Sequence, residues 1–136
     1  MRRNKLLVPM DGSASALKAL KWAAGDSPAT LLVLNVQLPI RSSRFVSKAM
    51  IAEHQQRNAD KALDPARALA KRLKIEARMF TAIGDPAATI VAFANKQRCT
   101  GIVMGNRGQH PVAGLLLGSV ATRVVHLAKC PVTIVK

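Results

Sequence analysis

Four unbroken apolar runs constrain this chain most. They are "KLLVPM" (Lys5–Met10), "TLLVLNV" (Thr30–Val36), "GIVMG" (Gly101–Gly105) and "PVTIV" (Pro131–Val135), set between segments of helical periodicity. Runs this short and this continuously apolar suit strands buried on both faces, as in a parallel sheet covered by helices. A fifth run, "KIEARMF" (Lys74–Phe80), alternates and reads as another strand. The predicted order is β-α-β-α-β-α-β-α-β. That is an α/β protein with one open five-stranded parallel sheet, helices on both faces and right-handed crossovers. The 136 residues fit one domain, read here as 1–136.

The helices carry their own signals. Ser13 stands where it can cap "SASALKALKWAAG", in which Ala14, Leu17, Leu20 and Ala24 recur at helical spacing, and Gly25 ends it. A polar-faced helical pattern runs from about Ser47 to Lys74. Asp64-Pro65 interrupts it, so either the helix kinks or a second one starts with Pro65 in its first turn. Asp85 caps and Pro86 opens the next helix, and the last pattern runs from Gly114 to Lys129.

Lys and Arg number 21 against 7 acids, a formal net charge of +14. Such a field attracts anions: a nucleotide, a nucleic acid or a lipid headgroup. The basic residues form no run of five or more, and aromatics are 3% of the chain, which makes a single-strand nucleic-acid reader a poor fit. A duplex-binding surface needs only Lys and Arg and stays open. No apolar stretch reaches the length of a membrane span. "MRRNKLLVPM" is too short in its apolar part for a signal peptide and meets Asp11 at once, so a cytoplasmic protein is expected. Cys99 and Cys130 fit neither metal-ligand spacing nor a disulfide framework. His54, His110 and His126 lie far apart, and neither Ser13 nor Ser15 has a nucleophile arrangement. The Gly-x4-Gly-Lys-Ser/Thr phosphate loop is absent.

In an open parallel sheet, ligands bind beyond the carboxyl ends of the strands. Three segments end on that rim: Asp11-Gly12-Ser13, Asn35-Val36, and "GNRGQHPVAGLLLGS" from Gly105 to Ser119. Glycines there permit positive φ and close backbone approach, and exposed N–H groups before a helix form an anion nest. Ser119 can donate its hydroxyl to a phosphate oxygen, and Arg107 can pair with one. The plain alternatives are turn glycines at Gly105 and Gly108, helix packing at Gly118, and a helix-capping Asp11.

Gly105-x-x-Gly108, nine residues, then Gly118-Ser119, resembles the nucleotide-binding signature of the universal stress protein family. "VPMDGS", the Gly84-Asp85-Pro86 helix start and the closing "CPVTIV" extend the resemblance over nearly the whole chain. It implies an ATP-binding domain with strand order 3-2-1-4-5. Asp11 and Val36 would meet the adenosine end. Gly105, Arg107, Gly108, Gly118 and Ser119 would hold the phosphates, with Met104 and Val120 as neighbours. It also implies a homodimer through the last strand, Val132–Val135, and ATP or another adenine nucleotide as ligand, with hydrolysis slow at most. Three features depart from the family's pattern. Asn35 stands where the family often has His, "QHPVA" follows Gly108, and the few acids leave Mg²⁺ to the phosphates themselves. The alternative is a dimeric scaffold of the same fold that binds no nucleotide.

Overall fold

The computed structural model describes residues 4–25, 29–108 and 117–136. The elements are β1 (Asn4–Pro9), α1 (Ala14–Gly25), β2 (Ala29–Gln37), α2 (Lys48–Leu73), β3 (Ala77–Ile83), α3 (Pro86–Lys96), β4 (Gly101–Gly105), α4 (Ser119–Leu127) and β5 (Val132–Val135). The strands form one parallel sheet in the order β3-β2-β1-β4-β5.

Each apolar run divides its side chains between two cores, because successive residues of a strand point to opposite faces. Leu6 and Val8 of β1, Leu31 and Val33 of β2, and Val103 of β4 pack with Ala19 and Leu20 of α1 and with Leu63 and Ala66 of α2. Leu7, Leu32, Leu34, Ile102 and Met104 pack on the other face with Ile90 and Val91 of α3 and Val124 of α4. Both faces are covered, which is why the strands read as unbroken apolar runs.

The local signals resolve in different ways. The Ser13 Oγ accepts the Ala16 N–H at 3.2 Å, and Asp85 accepts the Ala88 N–H at 3.1 Å, so both predicted caps form. The interruption at Asp64-Pro65 does not divide α2, which runs unbroken through Pro65. Leu63 and Ala66, on either side of the proline, are buried in the first core and hold the helix to the sheet. Asp64 instead pairs with Arg67 at 2.8 Å on the exposed face.

β3 begins at Ala77 rather than Lys74. Lys74 takes a left-handed conformation (φ 56°, ψ 43°) that closes α2, and the Ile75 N–H donates to Ala70 O at 3.0 Å. The helix end therefore consumes residues assigned to the strand. α4 likewise begins at Ser119, with Leu117 and Gly118 outside it. The predicted helical start at Gly114, with His110 and Pro111, lies outside the described residues.

Candidate functional site

α1 and α2 cover one face of the sheet and α3 and α4 the other, so the helices leaving β1 and β4 diverge at the carboxyl rim. The ladder between these two strands is short, with the register pairs Leu6↔Gly101 and Leu7↔Ile102. Beyond it a cavity of about 390 Å³ opens. Its volume lies within the range of small-molecule sites. Pro9, Met10, Leu34, Pro86 and Ile90 give it an apolar wall. All nine residues singled out from the sequence line it. Asp11 and Val36 come from the ends of β1 and β2; Met104, Gly105, Arg107 and Gly108 from β4 and its loop; Gly118, Ser119 and Val120 from the start of α4.

The turn after β1 is built from local chemistry. Gly12 has φ 84°, in the left-handed region, and a Cβ there would stand 3.2 Å from the Ala62 backbone. Asp11 Oδ1 accepts the Ser13 N–H at 2.9 Å, so Asp11 shapes the turn that Ser13 then caps.

The other rim glycines differ from the expectation. Among the described residues the positive-φ glycines are Gly12 and Gly84, so Gly105, Gly108 and Gly118 do not use that freedom. Gly105 is required by packing. A Cβ on it would collide with the Ser15 hydroxyl and lie 2.6 Å from the Ser15 carbonyl carbon and oxygen. At Gly108 an added Cβ would meet Asp11 Oδ2 at 3.2 Å, and at Gly118 it would make ordinary contacts from 3.6 Å.

Ser15 and Asn106 organise the site and were not singled out from the sequence. Ser15 Oγ accepts the Arg107 N–H at 3.2 Å and donates to Asn106 Oδ1 at 3.4 Å. The Asn106 N–H donates to Val135 O at 3.1 Å, and its carbonyl accepts the Gly118 N–H at 2.7 Å. One residue thus joins the ends of β4 and β5 to the start of α4 and the first turn of α1. An Asn beside a glycine signals a turn, but nothing local says what the turn will join. Asn35 is buried, donates to Met10 O at 2.8 Å and accepts from Gln37 Nε2 at 2.6 Å. It ties β2 to the turn after β1.

Gly118 caps α4 with φ −65° and ψ 162° and no side-chain cap bond. The helix therefore presents its first-turn amides, and the positive end of its dipole, at the cavity edge. Arg107 is exposed on the same edge. Polar and cationic groups gather at this end and apolar side chains at the other.

The wall formed by α3 and α4 is fastened by an ion pair. Arg123 Nη1 donates to both Asp85 oxygens, at 3.0 and 3.1 Å. The Arg123 hydrogen bond, followed by the Ala88 N–H, holds the Asp85 carboxyl below its ordinary 3.8. A depressed folded value means stability present above the unfolded value and lost as pH falls through the folded one. Asp85→Asn keeps a capping side chain but removes the charge. Its difference in urea stability from the parent is expected to be present at about pH 6 and to shrink as the pH falls below 3.8 and through the depressed folded value. An unchanged gap in acid would contradict this role.

Among the described residues no group of three His, Cys, Asp or Glu side chains could hold a metal ion. Nor is any helix long and apolar enough to cross a membrane. His54 is exposed and bonds Asn58 at 3.0 Å. Cys99 and Cys130 are free thiols pushed up from their ordinary value, chiefly by burial, which makes them poor nucleophiles.

Similarity to known proteins points the same way. The universal stress protein family model matches residues 2–136. Universal stress protein MJ0531 of Methanocaldococcus jannaschii is 34% identical over 141 residues, which span 97% of this chain and 81% of its own. YxiE of Bacillus subtilis, also a universal stress protein, is 32% identical over 146 residues, spanning 98% of this chain and 99% of its own. A crystal structure of a universal stress protein in complex with cAMP superposes with a TM-score of 0.72 at 27% identity, covering 98% of this chain and 97% of that one. Sequence and fold agree along nearly the same stretch of chain, and on that agreement the protein belongs to the universal stress protein family.

Proposed function

We propose that this protein binds an adenine nucleotide, ATP foremost, in the rim cavity and acts as a nucleotide-responsive regulatory protein. The observation that carries the reading is the start of α4: a helix N-terminus without a side-chain cap, opening on a cavity whose far wall is apolar. Val36, Leu34 and Ile90 offer surface for the base, and Asp11 stands where a ribose hydroxyl can donate to it. The amides at the start of α4, the Ser119 hydroxyl and Arg107 would hold the phosphates. The related structure with cAMP supports the choice of an adenine nucleotide. Asp11 is the one carboxylate among the described lining residues, so Mg²⁺ would be held mainly by the phosphates.

Hydrolysis is slow at most on this reading. Arg107 and main-chain dipoles would carry any stabilisation of the transition state. Nucleotide occupancy would instead alter the rim surface and shift affinity for a protein partner. The protein would work in the cytoplasm, where its two free thiols stay reduced. Two copies would join through β5, a sheet edge with Val132–Val135 half-buried. The second reading, a scaffold without nucleotide, is favoured by Asn35, whose amide is already engaged on both atoms by Met10 and Gln37.

Titration calorimetry with ATP, AMP and cAMP separates the two. Saturable heat below about 1 mM is expected, equivalent to more than about 4 kcal/mol of binding. Arg107→Ala should weaken ATP about fivefold at low salt, as befits an exposed charge-assisted contact, and less at high salt. Folded protein with no heat at millimolar nucleotide would favour the scaffold.

A further inference from the structure

The segment between β2 and α2, together with the first turn of α2, exposes an apolar surface that does not line the rim cavity. Phe45 is 83% exposed, Leu38 63% and Met50 53%, with Ile40 and Val46 also exposed. Scattered surface apolar residues need no explanation, but five fall within thirteen positions, and three of them, Ile40, Val46 and Met50, line one groove. Its tip is structured. Ser43 and Val46 exchange main-chain bonds, N–H to O at 2.9 Å and 3.3 Å, and Ser43 Oγ accepts the Phe45 N–H at 3.2 Å. This closed loop carries Arg44 and Phe45 at its turn. Behind it Ile40, Val46, Met50 and Ile51 line a shallow groove of about 310 Å³ against α2.

The charge around the patch has one sign. Arg41, Arg44 and Lys48 lie within it, and the sequence from Ser27 to Ala52 contains no Asp or Glu. Glu53, at the groove edge, faces Arg57 at 3.9 Å. An apolar tip ringed by cations complements a surface that is anionic outside and apolar beneath, which is a bilayer with acidic headgroups. A second copy fits poorly, because Arg41, Arg44 and Lys48 would meet their own counterparts across a two-fold. A duplex offers phosphates but nothing to cover Phe45.

We propose that the 38–50 segment is a docking surface for anionic lipid membranes, with Phe45 and Leu38 entering the interface and Arg41, Arg44 and Lys48 engaging headgroups. The site is separate from the rim cavity and does not rest on nucleotide binding.

Co-sedimentation with phosphatidylglycerol/phosphatidylcholine vesicles, against pure phosphatidylcholine, tests it. The net charge of +14 alone gives some attraction to acidic vesicles, so the variants decide. Arg41→Gln/Arg44→Gln/Lys48→Gln is expected to lower partitioning about a hundredfold, from a factor of about five per cation. Leu38→Ser/Phe45→Ser should lower it at least about tenfold and still do so at about 0.5 M salt, where charge is screened. Lys71→Gln/Arg72→Gln, at the far end of α2, should change it less than about twofold. All five positions in the first two sets are exposed, and an unchanged circular dichroism spectrum and thermal midpoint in those variants confirm an intact fold.

Failure to bind acidic vesicles overturns the proposal. So does binding that ignores Leu38→Ser/Phe45→Ser, which assigns the effect to diffuse charge. A lipid-free protein whose sedimentation changes with Phe45→Ser assigns the patch to a second copy and overturns it too.

Discussion

Gly118→Asp is expected to leave the protein folded, with a midpoint equal to or slightly above the parent's, while nucleotide affinity falls about a hundredfold or more. The two effects have opposite signs and one cause. Gly118 already has the extended backbone of a helix N-cap, and among the described residues an added Cβ meets nothing closer than 3.6 Å. Aspartate at that position accepts hydrogen bonds from the first-turn amides and adds a few tenths of a kcal/mol over glycine. Those are the amides assigned to the phosphates. The carboxylate also places a negative charge within about 4 Å of where they would lie, a repulsion of about 1 to 4 kcal/mol between aqueous and near-surface screening. Thermal unfolding and calorimetry on the same sample read both effects. Retained ATP affinity in a folded Gly118→Asp protein would remove α4 from the phosphate site.

Gly105→Ala carries the largest expected effect on stability. Its methyl would overlap the first turn of α1 at Ser15, where carbonyl carbon and oxygen stand 2.6 Å from the Cβ position. Backbone cannot rotate away as a side chain can, so α1 must move off β4. The cost is about 3 kcal/mol or more, which lowers the midpoint by about 10 °C in a domain of this size. Gly108→Ala is the matched control. There the nearest atom among the described residues is a carboxylate oxygen of Asp11 at 3.2 Å, and less than about 1 kcal/mol is expected. Equal midpoints for the two variants would mean that close packing against Ser15 is not the reason for Gly105.

This contrast shows how far the sequence can be read. "GIVMG" marks β4 to the residue, and Gly84-Asp85-Pro86 marks the start of α3, because strand burial and helix capping are set by neighbours in the chain. The glycines of the rim were legible as a group but not in their separate roles. Gly12 turns the chain, Gly105 admits Ser15, and Gly118 opens a helix. Pro65 left a kink and a second helix both open, and α2 runs through it as one helix, with Leu63 and Ala66 buried on either side. The strand at Lys74 began late because the end of α2 needed a left-handed residue there.

The sequence by itself determined the alternation of strands and helices, the two-faced burial of the sheet, and which residues would lie at the carboxyl rim. These follow from periodicity and capping, which act over a few residues. Only the tertiary structure decided why Gly105 has no side chain, that Ser15 and Asn106 brace the loop, and that Asn35 faces inward to Met10 and Gln37. Each of these joins groups that the sheet topology, not the local pattern, brings within hydrogen-bonding or van der Waals distance.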